Sequence, residues 1–258
     1  MSYNCRILKE VAYIARSAGK EIMKIYLGGN NCISLYKKLD QSPVTNADLI
    51  AHQLIIHKLQ HLTPNIPVIS EEHLPNWEEC KKWNYYWLID PLDGTKEFLS
   101  RNGEFTVNIA FIEHGEPIIG VIYVPVYNIL YVANDRKAWK INSKGYRLRI
   151  FTRISKNPVV LISRAYIFEN QTKLHSYLLN IKNYKVIYMG SSFKFCLIAE
   201  GIAQFYPRFS STKIWDTAAG HAIAKAAGAS VNDWNGYPLN YKNIDQYFYN
   251  PGFQVSLY

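Results

Sequence analysis

The sequence predicts a mixed protein in two halves, an N-terminal α+β half and a C-terminal α/β half. Two amphipathic helical runs come first, followed by short apolar runs separated by Gly, Pro and Asn. Beyond residue 155 the pattern changes to strands and helices in alternation. With 258 residues, 48% of them hydrophobic, the chain can bury a substantial core, so disorder is not the default reading.

The first helix is expected over 5–26, where Leu8, Val11, Ala15, Ala18, Ile22 and Tyr26 recur at steps of three and four before Gly28 and Gly29. The second starts at Thr45, whose spacing from Asp48 is that of a capping box, and runs through Leu49, Ile55, Leu59 and Leu62 to Pro64. Strands are expected at 67–70, 85–89, 105–112, 118–124 and 129–132. The polar stretch 153–158 marks a boundary near 155 and divides the chain into 1–155 and 156–258. Then come a strand at 159–163, a helix near 171–179, a strand at 186–189, a helix at 193–200 and a strand at 203–206. The alanine-rich run 215–228, closed by glycine, reads as the last helix.

Lys and Arg outnumber Asp and Glu by 29 to 20, a net charge of +9 that suits an anionic partner but equally a solvated basic surface. Cys5, Cys32, Cys80 and Cys196 have no metal-like spacing and read as reduced, partly buried thiols. The first seven residues lack a signal-peptide pattern, so a cytoplasmic location is expected. The most apolar stretch, 117–133, is too short to span a bilayer and contains Pro125 and Asn128. No transmembrane segment is expected, and loose peripheral attachment to the cytoplasmic face of the inner membrane stays open.

The densest chemical signal is Asp90-Pro91-Leu92-Asp93-Gly94-Thr95, at the end of an apolar strand. Pro91 stiffens the chain there, so Asp90, Asp93 and the Leu92 carbonyl can face one ligand; the alternative is an Asx turn on nearby amides. Mixed oxygen donors suit Mg²⁺, and Leu92 and Gly94 exclude an EF-hand. Glu71 and Glu72 follow another strand, either as a solvated turn or as part of the same cluster. Asp216 opens the alanine-rich helix, either as a helix-terminal charge or as a further metal acceptor. Together these groups provide for two or three partly hydrated Mg²⁺ ions sharing a phosphate. Gly94 and Thr95 are expected to open a short helix whose amides face the phosphate. The Thr95 hydroxyl would orient a water whose proton goes to Asp48 or Glu71, although Asp48 also serves the capping box. No P-loop, dinucleotide fingerprint, nucleophile elbow or zinc-protease motif occurs.

Asp90-Pro91-Leu92-Asp93-Gly94-Thr95 and Trp215-Asp216-Thr217-Ala218-Ala219-Gly220, with Ser70-Glu71-Glu72 upstream, resemble the two signatures of the inositol monophosphatase superfamily. Lys96-Glu97-Phe98 and Arg101-Asn102-Gly103-Glu104-Phe105-Thr106-Val107-Asn108 resemble its CysQ-type 3'(2'),5'-bisphosphate nucleotidase branch. The likeness covers essentially the whole chain. It implies a layered α-β-α-β-α sandwich with the site between the halves, and Mg²⁺-dependent hydrolysis of adenosine 3',5'-bisphosphate to AMP and phosphate. That reaction would clear a by-product of sulfate assimilation, with the sulfated analogue as a second substrate. It also implies Glu71, Asp90, Leu92, Asp93 and Asp216 as metal ligands, with Asp48, Glu71 and Thr95 serving the attacking water. Glu71, Leu92, Asp93, Gly94, Thr95 and Asp216 would face the substrate, and Ser191, Lys194 and Arg208 would hold its second phosphate. The rival within the fold is an inositol-phosphate or sugar-phosphate phosphatase, against which Lys96, Glu97 and Arg208 argue. The rival outside it is a nucleic-acid-binding protein without catalysis, against which the complete carboxylate set argues.

Overall fold

The computed structural model describes residues 3–38, 42–134, 136–164, 171–242 and 245–257, and side chains from residue 6 onward. Helix α1 (Tyr3–Leu27) is followed by strands β1 (Leu35–Lys37) and β2 (Pro43–Thr45), which pair antiparallel, and by helix α2 (Asn46–Leu62). The capping box at the start of α2 is present: Ala47 N–H donates to the Thr45 hydroxyl, and Thr45 N–H donates to Asp48 Oδ2 at 2.8 Å.

Next come β3 (Val68–Ser70), the single-turn helix α3 (Trp77–Cys80), β4 (Tyr85–Asp93), α4 (Thr95–Leu99), β5 (Thr106–Glu113), β6 (Glu116–Val124), β7 (Ile129–Asn134), β8 (Lys137–Ile141) and β9 (Arg147–Arg149). Among the described residues these strands form a seven-stranded sheet in sequence order, with β3 parallel to β4 and every later pair antiparallel. The largest departure from the expected boundaries is in β4. β4 does not stop at Ile89 but continues to Asp93 through a register shift: Asp90 faces Asn108, while Asp93 faces Thr106. Three steps on β4 oppose two on β5, so Pro91 and Leu92 lie in a bulge, where the missing proline amide costs no ladder bond. The expected stiff bend is a bulge within the strand.

The chain then enters a second sheet through β10 (Val159–Ser163), α5 (Gln171–Leu178), β11 (Lys185–Met189), α6 (Phe193–Ala199) and β12 (Phe205–Arg208). Strand β13 (Thr212–Lys213) and a 3₁₀ turn (Ile214–Asp216) lead into α7 (Ala218–Ala227), followed by β14 (Ser230–Asp233), β15 (Tyr249–Asn250) and β16 (Phe253–Ser256). The five-stranded order is β11-β10-β12-β16-β14, with β10 parallel to both its neighbours and β16 antiparallel to both of its own. The alternating pattern therefore ends at β12, and a strand pair that the sequence did not announce completes the sheet. The last helix also starts three residues later than expected, because Asp216 belongs to the 3₁₀ turn.

Four apolar clusters define the layers. α1 and α2 pack on one face of the large sheet through Val11, Ile22, Ile55, Leu59, Ile109 and Val121. Its other face meets α6 and α7 through Leu88, Ala110, Ile122, Cys196, Ala219 and Ile223. Phe195, Ala224, Val231 and Phe253 join those helices to the small sheet, whose outer face carries α5 against Val160 and Ile162. The result is the expected α-β-α-β-α order. Cys80 and Cys196 are buried, Cys32 is exposed rather than partly buried, and the side chain of Cys5 lies outside the described residues. No helix among the described residues is long and apolar enough to cross a membrane.

Candidate active site

The acidic residues singled out from the sequence converge from three places. Glu71 follows β3, Asp90 ends the regular part of β4, and Asp216 lies in the 3₁₀ turn before α7; each offers a carboxylate oxygen within 4.8 Å of the others'. Asp90 is buried, while Glu71 and Asp216 are half-buried. Burial, reinforced by the neighbouring acids, pushes the Asp90 and Asp216 carboxyls well above their ordinary range. Three hard oxygen donors held this close without full hydration match the chemistry of a divalent cation such as Mg²⁺. Lys38 also meets the cluster, donating to Glu71 Oε1 at 2.6 Å and to Glu72 Oε1 at 2.8 Å. Burial pushes Glu72 up to about 7 in spite of that ammonium.

Asp93 is held differently. Its Oδ2 accepts from Ser192 N–H at 2.5 Å and Asn108 Nδ2 at 3.3 Å, with the Thr106 hydroxyl at 3.5 Å. Those bonds occupy one oxygen and leave Oδ1 for a ligand. Thr106, Asn108 and Ser192 form a buried polar network, with Thr106 Oγ1 donating to Asn108 Oδ1 at 3.0 Å and Ser192 Oγ at 2.7 Å from the same acceptor. The sequence offered a signal for two of them: Thr106 and Asn108 stand two apart in an otherwise apolar strand, so they share a face. Lys38 and Ser192 carried no comparable mark.

Thr95 and Asp48 meet as expected. Gly94 takes φ +96°, a conformation that a β-carbon would strain, and turns the chain from the bulge into α4. The Thr95 hydroxyl then donates to Asp48 Oδ1 at 3.1 Å, with the Leu92 carbonyl at 3.5 Å. The cap uses Asp48 Oδ2 and leaves Oδ1 facing Thr95. Both readings of Asp90 are also compatible, because its Oδ1 takes the Leu92 amide at 3.1 Å in an Asx-type contact.

A cleft between the two sheets is lined by Asp93, Ser191, Lys194, Arg208, Thr212 and Asp216. Its walls differ in charge. Lys194 is buried, and burial lowers it to about 8; Arg208 nearby pushes in the same direction against Asp93. The Lys194 ammonium donates to the carbonyls of Met189 at 3.1 Å and Ser191 at 2.6 Å, so it is fixed in place. Ser191 Oγ accepts Phe193 N–H at 3.2 Å. The buried Thr212 hydroxyl has no hydrogen-bond partner among the described residues, which leaves a polar atom at the cleft for a ligand.

The profile of the inositol monophosphatase family matches residues 6–251. The chain belongs to the inositol monophosphatase family. Within that family it is 52% identical to the 3'(2'),5'-bisphosphate nucleotidase CysQ of Escherichia coli K12, across 98% of this chain and the full length of that one. The protein of the same name from Buchnera aphidicola is 50% identical across 97% of this chain and 94% of its own. The crystal structure of CysQ from Bacteroides thetaiotaomicron superposes with a TM-score of 0.83 at 38% identity, covering 96% of each chain.

Proposed function

We propose that this chain is a Mg²⁺-dependent 3'(2'),5'-bisphosphate nucleotidase that hydrolyses adenosine 3',5'-bisphosphate to AMP and phosphate. The observation that carries the reading is the juxtaposition of the Glu71–Asp90–Asp216 cluster with a cleft wall bearing Lys194 and Arg208. One wall suits a divalent metal, and the other suits a second anion that a simple monophosphate lacks. The names of the E. coli and Buchnera relatives support the same substrate.

Glu71, Asp90, Asp93, Asp216 and the Leu92 carbonyl hold two or three Mg²⁺ ions in this reading. Bound there, Mg²⁺ supplies positive charge to the phosphoryl oxygens and acidifies the attacking water. Thr95 orients that water, and the proton passes through its hydroxyl to Asp48, whose carboxyl burial raises toward the range of a useful base. The water oxygen bonds to phosphorus, the bond to the 3' oxygen breaks, and that oxygen takes a proton from solvent water to become the AMP hydroxyl, while Asp48 returns its proton to solvent. Ser191, Lys194 and Arg208 grip the 5'-phosphate, which is not cut. The sulfated analogue fits the same scheme, and the enzyme would act in the cytoplasm on a by-product of sulfate assimilation. Residues 1–155 and 156–258 serve as the two domains on either side of the cleft.

Phosphate release from adenosine 3',5'-bisphosphate, its sulfated analogue and inositol 1-phosphate, with Mg²⁺ and with EDTA, tests the proposal. Preference for the bisphosphate and loss of activity in EDTA support it. Equal or better turnover of inositol 1-phosphate overturns the substrate.

A further inference from the structure

The turn at 190–192, between β11 and α6, carries Ser191 and leads directly to Lys194. Acids far back in the sequence hold it. Gly190 N–H donates to Glu104 Oε2 at 2.8 Å, and Ser192 N–H donates to Asp93 Oδ2 at 2.5 Å. Glu97 lies so close that a β-carbon on Gly190 would sit 2.4 Å from its Cγ, so a larger residue there would have to displace the Glu97 side chain. Between the two anchored amides, Ser191 takes φ +51°, which disfavours a residue with a side chain by about 1–2 kcal/mol. The turn therefore does not hold its shape by its own preferences.

Glu104 is itself anchored. Arg164, directly after β10, donates to Glu104 Oε2 from Nε at 2.9 Å and to Oε1 from Nη2 at 2.5 Å, a two-pronged contact. Although burial opposes it, these bonds and the Gly190 amide keep the Glu104 carboxyl below its ordinary value, so it is ionised at neutral pH. Glu104 belongs to the loop before β5, while Arg164 and Gly190 directly follow strands β10 and β11 of the small sheet. One carboxylate thus ties the two sides of the cleft at the point where the anion-binding wall begins.

We propose that Glu104, braced by Arg164, is a positioning residue that sets the grip on the uncut phosphate by fixing the 190–192 turn. The Ser191 carbonyl of the turn, with that of Met189 at the end of β11, fixes the Lys194 ammonium, so a shift of the turn moves Ser191 and Lys194 together. Of the metal carboxylates, Glu71, Asp90 and Asp216 make no bond to this turn, and Asp93 meets it only at the Ser192 amide, at the opposite end from Glu104. The inference rests on the bisphosphate reading, because only a second phosphate would contact this wall.

Steady-state kinetics and AMP titration of the full chain test it. Glu104→Ala should raise KM for adenosine 3',5'-bisphosphate about tenfold or more and weaken AMP binding by the same factor, with kcat changed less than about twofold. Glu104→Gln keeps an oxygen for Gly190 and should fall between wild type and Glu104→Ala. Arg164→Ala, at an exposed position, should raise KM about threefold, and it decides the matter if Glu104→Ala fails to fold. Unchanged KM and AMP affinity in both alanine variants, or a loss confined to kcat, overturns the positioning role. If the wild type releases no phosphate from the bisphosphate, the functional reading fails instead, and AMP titration still reports on the turn by itself.

Discussion

The two walls of the cleft carry opposite electrostatic burdens. On the large-sheet side, burial pushes the Asp90 and Asp93 carboxyls upward, with neighbouring acids adding to it at Asp90 and Lys194 opposing it at Asp93, and Asp216 joins them from the turn before α7. On the small-sheet side, burial and Arg208 push the Lys194 ammonium downward. Each wall is unfavourable alone, because its like charges share a poorly hydrated space. A cation on one side and an anion on the other relieve both, so the comparison teaches that the site is built for its ligands rather than for stability. In the proposed reading it also separates the roles: the acidic wall would serve the chemistry, and the basic wall recognition.

The strongest way to break that division is to neutralise the acidic wall. Asp93→Asn or Asp216→Asn should lower kcat/KM by about a thousandfold, as expected when about 4 kcal/mol of charge stabilisation at the phosphoryl group is lost. In metal-free protein, Asp216→Asn should raise the thermal midpoint, since it removes one of several crowded acids. Turnover at the wild-type rate in Mg²⁺ by either variant would remove these residues from the site. Thr95→Ala comes next, with about a hundredfold loss in kcat and little change in KM, because its hydroxyl matters when water attacks. A change confined to KM would contradict that role.

Neutralising the basic wall should look different. Arg208→Ala should raise KM for adenosine 3',5'-bisphosphate about ten- to a hundredfold, corresponding to about 1.5–3 kcal/mol for a charge-assisted phosphate contact. Hydrolysis of inositol 1-phosphate, which has no second anionic group, should hardly change. Equal losses on both substrates would assign Arg208 to the metal site or to the fold.

The difference between the walls also explains what the sequence could show. Carboxylates at strand ends and in the turn before α7 stand out because an apolar run stops at a charge, as at Glu71, Asp90, Asp93 and Asp216. Helices α1 and α2 and strands β5 to β7 were legible from clean periodicity. Strands β8, β9, β14 and β16 were not, because they are short and interrupted by polar residues such as Lys137, Arg147 and Asn232, which the pairing within each sheet tolerates. Partners joined across 86 positions, as Glu104 and Gly190 are, leave no local spacing to read.

The smallest expected effect concerns pH and probes the basic wall without changing its shape. Lys194 is lowered to about 8, so in the free enzyme it loses its proton as pH rises through that value, while an anionic substrate favours the protonated form. The pH dependence of kcat/KM reports ionisations of the free enzyme, so kcat/KM for the bisphosphate should decline above about pH 8. The neutral amine still donates hydrogen bonds, so the loss is the difference between a charge-assisted and a neutral contact, about 1 kcal/mol, or roughly fivefold. Lys194→Met should abolish this step and leave any ionisation of the acidic wall in place. A decline that persists unchanged in Lys194→Met would place the titrating group elsewhere, and would mean that the two walls are not separable by pH.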